Sequence, residues 1–140
     1  MSFKQISQIA GSAMAAQTTR LNTIASNLAN AQSAAGSEDG AYRAKKPVFA
    51  ALPIGGEAGG QLAGSRVQVL DVVESDEPLR RVYEPENPLA NERGEVFYPN
   101  VNPVAEMTDM LSASRAFETN VEVLGRIKSM QQSLLRLGES

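Results

Sequence analysis

Both ends of this chain contain long stretches in which apolar or small residues recur at alternating steps of three and four. Such spacing places the repeating residues along one side of an α-helix. In residues 1–31 the pattern holds for almost four heptads, and Gly11 is the one glycine or proline that interrupts it. Ser2 and Gln5 have the spacing of a capping box. We predict one long helix here, with a stripe formed by Phe3, Ser7, Ala10, Met14, Gln17, Leu21, Ile24 and Leu28.

The C-terminal stretch, residues 102–140, begins with a helix start. Asn102 is a good N-cap, and Pro103 suits the first helical position, where its missing N–H does no harm. The stripe that follows is Met107, Met110, Ser114, Phe117, Val121 and Leu124. It then moves back by one residue, to Val123, Ile127, Met130, Leu134 and Leu137. We predict a second long helix that stops near Gly138.

Helices of this length exceed the needs of a globular domain of this mass. Thirty helical residues extend about 45 Å, and helices beyond about 25 residues indicate coiled coils or helical assemblies. One partner cannot cover all the flanks, because apolar side chains such as Ile9, Ala16 and Leu135 lie off the main stripes. We therefore expect the helices to project as a rod and other copies of the chain to supply the missing neighbours.

Residues 32–101 have a different composition. Residues 32–41 form a small, polar linker, and residues 53–65 form a Gly-rich loop. The strongest strand pattern lies at 66–74, where alternation places Val67, Val69 and Val73 on one face. Weaker strand patterns lie at 42–52, 79–84 and 95–98. These pieces predict at most a small sheet or a β-hairpin.

The composition excludes most familiar active sites. The 140 residues include no His, no Cys and no Trp, which excludes a Ser-His-Asp triad, a Cys–His pair, a zinc finger and a disulfide. The Gly-rich run at 55–60 lacks the spacing of a P-loop or of a dinucleotide-binding loop. Four carboxylates lack the spacing of a calcium loop, namely Asp71, Glu74, Asp76 and Glu77. We predict no catalytic residue, no cofactor and no metal.

Charge and hydropathy exclude two classes of partner. The net charge is −3, and Lys45-Lys46 is too short a basic run for nucleic-acid binding. No run approaches the roughly 18 apolar residues of a membrane span, and no cleavable secretory signal is visible at the N-terminus. We expect neither nucleic-acid binding nor membrane insertion.

Three asparagines lie in or beside the N-terminal stripe: Asn22, Asn27 and Asn30. Asparagine is a poor helix former. One interpretation is that these residues are exposed polar positions near a helix end. The other is that their amides form specific hydrogen bonds between packed helices and fix the register. The spacing does not choose between them.

Several segments resemble bacterial flagellar axial proteins, the superfamily of rod, hook and hook-associated subunits. Residues 20–31 (RLNTIASNLANA) are similar to the N-terminal motif of that superfamily. Three further segments resemble its proximal rod subunits: 42–49 (YRAKKPVF), 78–83 (PLRRVY) and 98–102 (YPNVN), the last continuing through 106–107, 112–115 and 120–124. The resemblance runs nearly from end to end.

The resemblance implies a mainly α fold, in which the terminal helices, 1–31 and 102–140, pair as an inner antiparallel coiled coil. It implies that 32–101 forms a small extended or β-hairpin middle domain outside them. It also implies a structural subunit without catalytic activity, exported without a cleaved signal through the flagellar type III apparatus into the periplasm-spanning rod of the basal body. Partners would be its own copies, other proximal and distal rod proteins, and rod-base and basal-body ring components.

We expect subunit packing to involve Leu21, Asn22, Ile24, Asn27, Leu28, Asn30, Met107, Met110, Phe117, Asn120, Val121 and Leu124. The alternative function is a soluble helical adaptor or export chaperone that binds a partner helix in its stripe. A carboxylate–metal enzyme is a third alternative, but no spacing in the sequence favours it.

Overall fold

The computed structural model describes residues 2–55 and 64–139. Its elements are α1 (Phe3–Ala29), β1 (Lys45–Pro53), β2 (Ser65–Glu74), β3 (Arg80–Tyr83), β4 (Glu95–Tyr98) and α2 (Pro103–Gly138). The two long terminal helices and the small β region between them confirm the predicted fold class.

Both predicted helix starts are present. The Ser2 Oγ accepts a hydrogen bond from the Gln5 backbone N–H at 3.2 Å, and the Ser2 N–H donates to Gln5 Oε1 at 2.8 Å. At the start of α2 the Asn102 side chain accepts from the Ala105 N–H at 3.3 Å, with Pro103 as the first helical residue. These caps satisfy donors that a helix start otherwise leaves unpaired.

The two helices pack as an antiparallel pair. Arg20, towards the end of α1, forms an ion pair with Asp109, near the start of α2. Small residues line the same stretch, since Ala16 is 2% exposed and Ala113 is 0% exposed. Alanine at these buried positions leaves room for the two helix backbones to approach each other.

The helices differ in length, with 27 residues in α1 and 36 in α2. Because equal numbers of residues span equal lengths in both helices, the Arg20–Asp109 pair sets Phe3 level with Arg126. Ile127 is buried, and every later residue of α2 is exposed. Residues 128–138, which we call the overhang, therefore extend beyond the start of α1.

The middle region contains two separate antiparallel hairpins, β1–β2 and β3–β4. In the first, Val48 pairs with Asp71 and Phe49 with Val69, so Leu70 is an extra, bulged residue. The bulge interrupts the alternation: Val67 and Val69 are half-buried, whereas Val73, predicted on their face, is exposed. The predicted loop 53–65 has its residues 56–63 outside the described part of the chain.

The β1–β2 hairpin lies against α1. The Val67 backbone N–H donates to Ser12 Oγ at 3.0 Å, so a helix hydroxyl satisfies a strand donor. The length of the helices predicted that both would project away from the middle region as a rod. This prediction is wrong for α1, because the β1–β2 hairpin packs along it. Among the described residues, it is the overhang that projects.

The β3–β4 hairpin forms a second small core near the end of α1. Ala35 and Phe97 exchange two backbone hydrogen bonds, of 2.9 and 2.8 Å, so the chain after α1 pairs with β4. Val96 is completely buried and Phe97 nearly so. Gly94 has φ +74° in the connecting turn, and a Cβ there would lie 2.8 Å from the Tyr83 ring. Glycine is required at that position on both counts.

Candidate functional site

The side of α2 that contacts α1 differs from the predicted stripe. The buried and half-buried positions in this part of the helix include Ala113, Phe117, Asn120, Leu124 and Ile127. Phe117 and Leu124 belong to the predicted stripe and lie on this side. In the first half of the helix the observed stripe falls about one residue before the predicted one, because the contact is made by Asp109 with Arg20 and by the small Ala113.

This rotation leaves apolar residues of α2 exposed. Met107, Met110 and Val121, all predicted for subunit packing, are exposed. Val104, Met107, Leu111 and Val121 follow each other at steps of three, four and ten, which keeps them on one side of a helix. We call these four residues the outer stripe. It lies on a flank that α1 does not cover.

The overhang is the second exposed apolar surface. Met130 is 55% exposed and Leu134 is 54% exposed, and Leu135 and Leu137 are more exposed still. Met130 and Leu134 continue the stripe of Ile127, the last residue of α2 that is buried. An apolar stripe that continues past the helix on which it packs is typical of an assembly surface.

The residues predicted for packing on α1 and at its C-cap differ in burial. Ile24 and Asn27 are buried inside the chain, and Leu21, Leu28 and Asn30 are half-buried. Asn22 is exposed. In this conformation Ile24 and Asn27 stabilise the chain itself, and contact with another subunit has to come from the more exposed positions.

Asn27 is the centre of a buried polar junction between α1 and the start of β1. It is 1% exposed. Its Oδ1 accepts from the Tyr42 hydroxyl at 2.8 Å and from the Lys45 N–H at 2.9 Å, and its Nδ2 donates to the Lys45 carbonyl at 2.9 Å. The Tyr42 hydroxyl also lies 2.9 Å from Ser26 Oγ. Asn27 therefore holds the start of β1 against α1.

Asn100 forms the other half of this junction. It is not among the residues predicted to pack between subunits. Its Oδ1 accepts from the Ala44 N–H at 2.7 Å. Its Nδ2 donates to the carbonyls of Glu77, at 2.8 Å, and Ser75, at 3.3 Å. Asn100 thus connects the segment before α2 to the residues that precede β1 and that follow β2. The available signal was its place in the 98–102 motif, beside Pro99.

The junction brings together three of the segments that resemble flagellar axial proteins. Residues from 20–31, 42–49 and 98–102, far apart in the sequence, meet around Asn27 and Asn100. Every buried side-chain nitrogen or oxygen among the described residues has a hydrogen-bond partner. A satisfied polar network of this kind tolerates few substitutions, since removing one member leaves others unpaired.

The side chains of Asn30 and Asn120 bond to the preceding turn of their own helices. Asn30 Nδ2 donates to the Ser26 carbonyl and Asn120 Nδ2 to the Ala116 carbonyl, both at 2.8 Å. The described hydrogen bonds of Asn27, Asn30 and Asn120 therefore do not cross between α1 and α2. Asn27 does make the specific contacts that one interpretation required, but it makes them to the segment after the helix.

A smaller polar cluster stabilises the β3–β4 hairpin. The Tyr98 hydroxyl donates to Glu84 at 2.9 Å, and Asn87 Nδ2 donates to the same carboxylate at 2.9 Å. These bonds, that of Asn87 first, lower the pKa of Glu84, and the bond to Glu84 raises the pKa of Tyr98. The Arg80 guanidinium lies 4.6 Å from the centre of the Tyr98 ring. Glu84, Asn87 and Tyr98 are half-buried, and their hydrogen bonds position the turn between β3 and β4.

Two features of the described residues concern metal binding and membrane insertion. Within residues 2–55 and 64–139, no three acidic, His or Cys side chains are grouped so that they could hold a metal ion. In the same residues, neither helix combines the length and the apolar composition that a bilayer crossing requires.

Family comparisons agree with the helix pair and the junction. Residues 8–34 match the family model described as flagella basal body rod protein, and residues 94–137 match that of the flagellar basal body rod FlgEFG protein C-terminal region. Flagellar basal-body rod protein FlgC of Escherichia coli O6:H1 is 49% identical over 139 residues, covering 99% of this chain and 100% of the relative. This chain belongs to the FlgC family.

Other FlgC relatives extend the same match. The protein of Salmonella typhimurium is 48% identical, over 99% of this chain and 100% of its own length. That of Bacillus subtilis is 32% identical, over 94% of this chain and 95% of its own. The resemblance to flagellar axial proteins is confirmed, and so is the interpretation as a structural subunit of the flagellar basal-body rod. Nothing in the comparisons supports the adaptor or chaperone alternative.

Proposed function

We propose that this FlgC-family chain assembles with its own copies and with other rod proteins, proximal and distal, into a hollow helical shaft that transmits torque through the proximal rod. Rod-base and basal-body ring components would be its further neighbours. The observation that carries this proposal is the amount of exposed apolar surface on α2, at the outer stripe and at the overhang. Side chains of this kind are stabilised by leaving water.

Long helices suit a shaft for a mechanical reason. Contacts spread along α1 and α2 distribute a shearing load over many side chains, whereas a short contact would concentrate it. Repeated contacts between two different surfaces produce an open helical array when the rotation between copies does not close a ring. The outer stripe and the overhang are two such different surfaces.

The proposed organisation places the helix pair, 1–31 and 102–140, at the inside of the shaft and residues 32–101 at the outside. The contacts of the middle region support it, because Asn27 and Asn100 hold the start of the β1–β2 hairpin and Val67 of the same hairpin bonds to Ser12 of α1. Of the residues expected to pack between subunits, Asn22, Met107, Met110 and Val121 are exposed, while Leu21, Leu28, Asn30, Phe117, Asn120 and Leu124 are half-buried beside them.

The proposal includes a route and a location. The chain would be exported through the flagellar type III apparatus without a cleaved signal and reside in the part of the rod that crosses the periplasm. Its membership of the rod family supports the location. N-terminal sequencing of the chain recovered from purified basal bodies tests the route, since a cleaved leader would shift the first residue.

The test of assembly is the substitution Val121→Asp. Val121 is exposed, so a charge there leaves the chain folded, but the charge would have to be desolvated in a packed interface. We expect loss of motility and loss of the chain from basal bodies, measured by swimming assays and by immunoblots of purified basal bodies.

Thr119→Asp is the matched control, because Thr119 is exposed on another side of the same helix. It introduces the same charge two residues away and should leave incorporation intact. Normal motility with Val121→Asp, or equal losses with both variants, would contradict an assembly role for the outer stripe.

A further inference from the structure

The Asn100 side chain occupies a place that a backbone hydrogen bond takes in an ordinary β-ladder. Ala44 and Ser75 lie opposite each other, one residue beyond the last pair of the β1–β2 hairpin. The Ser75 N–H donates to the Ala44 carbonyl at 2.8 Å, and such an antiparallel pair ordinarily exchanges a second bond in the opposite direction. The Asn100 amide replaces that second bond, accepting from the Ala44 N–H at 2.7 Å and donating to the Ser75 carbonyl at 3.3 Å.

Asn100 is thus a wedge between two strand ends, and each group that it bonds has another partner. If the wedge withdraws, the Ala44 N–H faces the Ser75 carbonyl and can form the missing bond directly. The carbonyls of Ser75 and Glu77 also accept from the Arg43 guanidinium, both at 3.2 Å. Asn100 is half-buried, so its own amide can bond to water. Withdrawal therefore avoids the penalty for leaving a buried polar group unpaired.

Asn27 differs from Asn100 in this respect. It bonds to the N–H and the carbonyl of Lys45, and successive residues of a strand direct these groups to opposite edges. Because Ala44 directs its carbonyl towards Ser75, the Lys45 groups point away from β2, and β2 cannot replace Asn27. Asn27 is also 1% exposed, so water cannot readily replace it. Asn27 is therefore a fixed link between the hairpin and α1, whereas Asn100 is a link that can open.

The start of α2 is held weakly apart from this wedge. Within the described residues α2 packs on α1, and neither β1 nor β2 lies against it. A cleft of about 450 Å³ separates the first turns of α2 from Lys46 and Pro47 of β1. The side chains of the Arg20–Asp109 ion pair are 23% and 42% exposed, and ion pairs this exposed contribute little stability. The start of α2 can therefore move without carrying the hairpin with it.

We propose that Asn100 is a releasable wedge and that the chain exchanges between two conformations. In the observed conformation Asn100 bridges Ala44 and Ser75 and holds the start of α2 beside the hairpin. In the other conformation Asn100 has left the ladder, Ala44 bonds directly to Ser75, and the start of α2 moves while the hairpin stays on α1. The use of this movement rests on the proposed function, because it lets the outer stripe adjust to a neighbouring subunit without disturbing the middle region.

Nuclear magnetic resonance on the isolated full-length chain tests the two conformations. In the wild type we expect a scalar coupling across the hydrogen bond from the Ala44 nitrogen to the Asn100 side-chain carbonyl. Chemical-exchange saturation transfer should also detect a minor state at Ala44 and Ser75. In Asn100→Ala, a coupling between Ala44 and the Ser75 carbonyl should appear and the exchange should cease. The chemical shift of the Ala44 nitrogen in this variant should equal that of the wild-type minor state.

Asn102→Ala is the matched control, because it truncates the same type of side chain two residues away. Asn102 bonds to the Ala105 N–H at the start of α2 and takes no part in the ladder, so this variant should keep the coupling between Ala44 and Asn100. A urea titration supplies a second measurement. The midpoint of Asn100→Ala should stay close to that of the wild type, because the direct bond replaces the bridge, whereas Asn27→Ala should lower the midpoint strongly.

Several results would overturn the releasable wedge. One is the absence of a minor state at Ala44 in the wild type, or a minor-state shift that differs from the shift in Asn100→Ala. Another is an Asn100→Ala chain that unfolds or lacks the coupling between Ala44 and Ser75, since Asn100 would then be a permanent structural link. These measurements do not depend on assembly. Absence of the unmodified chain from basal bodies contradicts the proposed function instead, so the two failures are distinguishable.

Discussion

The Asn27–Asn100 junction and the overhang use opposite kinds of side chain in opposite environments. At the junction, Asn27 is buried and Asn100 is half-buried, and their described hydrogen bonds are made within the chain. At the overhang, apolar side chains are exposed. A self-sufficient globular domain shows the reverse preference, with apolar groups inside and amides at the surface.

This contrast separates the part of the chain that is complete from the part that needs a partner. Buried hydrogen bonds are directional, so the junction fixes the position of the middle region on α1 without help from another molecule. Exposed leucines and methionines impose no such geometry, but they favour any partner that removes them from water. The chain thus fixes the position of its own middle region and leaves the outer stripe and the overhang for assembly.

The largest expected effect is at the junction. Asn27→Ala removes three hydrogen bonds and leaves the Lys45 N–H and carbonyl and the Tyr42 hydroxyl without that partner. Unpaired buried groups cost about 1–3 kcal/mol each, so we expect the free energy of unfolding to fall by about 3 kcal/mol. Urea unfolding followed by circular dichroism measures it. Asn22→Ala, exposed on the same helix, should change the value by less than about 0.5 kcal/mol; similar losses would mean that the junction is unimportant.

The next effect is at the helix contact. Ala113 is 0% exposed, so Ala113→Leu adds volume where the two backbones approach closely. Overpacking of this kind costs about 1–3 kcal/mol, and we expect a loss near the middle of that range in the same urea experiment. Ser112→Leu places the same side chain on the exposed neighbouring position and should be almost neutral. A neutral Ala113→Leu would show that the helices can separate freely.

A smaller, pH-dependent effect is expected at the β3–β4 hairpin. Because folding lowers the pKa of Glu84, the stability from its hydrogen bonds is complete above the ordinary value of 4.5 and is lost as the pH falls through the lower folded value. Because folding raises the pKa of Tyr98, its contribution is complete below 10.0 and is lost as the pH rises through the higher folded value.

Tyr98→Phe removes this bond and tests both directions. The difference in urea midpoint between wild type and variant should be greatest near neutral pH and should narrow in acid and in strong base. Tyr83→Phe, at an exposed position of the same hairpin, should show no pH-dependent difference. A Tyr98→Phe difference that stays constant with pH would rule out the Glu84–Tyr98 bond as its source.

The smallest effect on the isolated chain is expected at the overhang. Leu134→Ser replaces a side chain that is 54% exposed, so the free energy of unfolding should change by less than about 0.5 kcal/mol. Incorporation into basal bodies should nevertheless fall sharply. A large loss of stability without a loss of incorporation would reverse the comparison between overhang and junction.

Local signals predicted the helices and strands well. The Ser2–Gln5 capping box and the Asn102–Pro103 start depend on residues within one helical turn of each other, so the sequence contains all the atoms involved. The strand at 66–74 was also predicted within one residue. The face of the strand on which each side chain lies was not predicted correctly, because the bulge at Leu70 depends on pairing with β1.

The candidate surfaces were predicted only in part. Residues such as Met107 and Val121 were identified by their spacing, but the spacing could not tell which side of α2 would face α1. The Arg20–Asp109 pair and the contact at Ala16 and Ala113 decide that rotation. Asn100 was missed because its partners, at Ala44, Ser75 and Glu77, are distant in the sequence.

Periodicity and capping act between residues that are neighbours along the chain, so the two long helices, their caps and the extended middle region follow from local sequence. Three features follow only from packing: which apolar residues are covered, where α1 ends against α2, and how two asparagines hold the middle region in place. Those outcomes depend on contacts between segments up to 89 residues apart, such as Arg20 with Asp109, and local pattern contains no information about the relative rotation of elements that meet at such a distance.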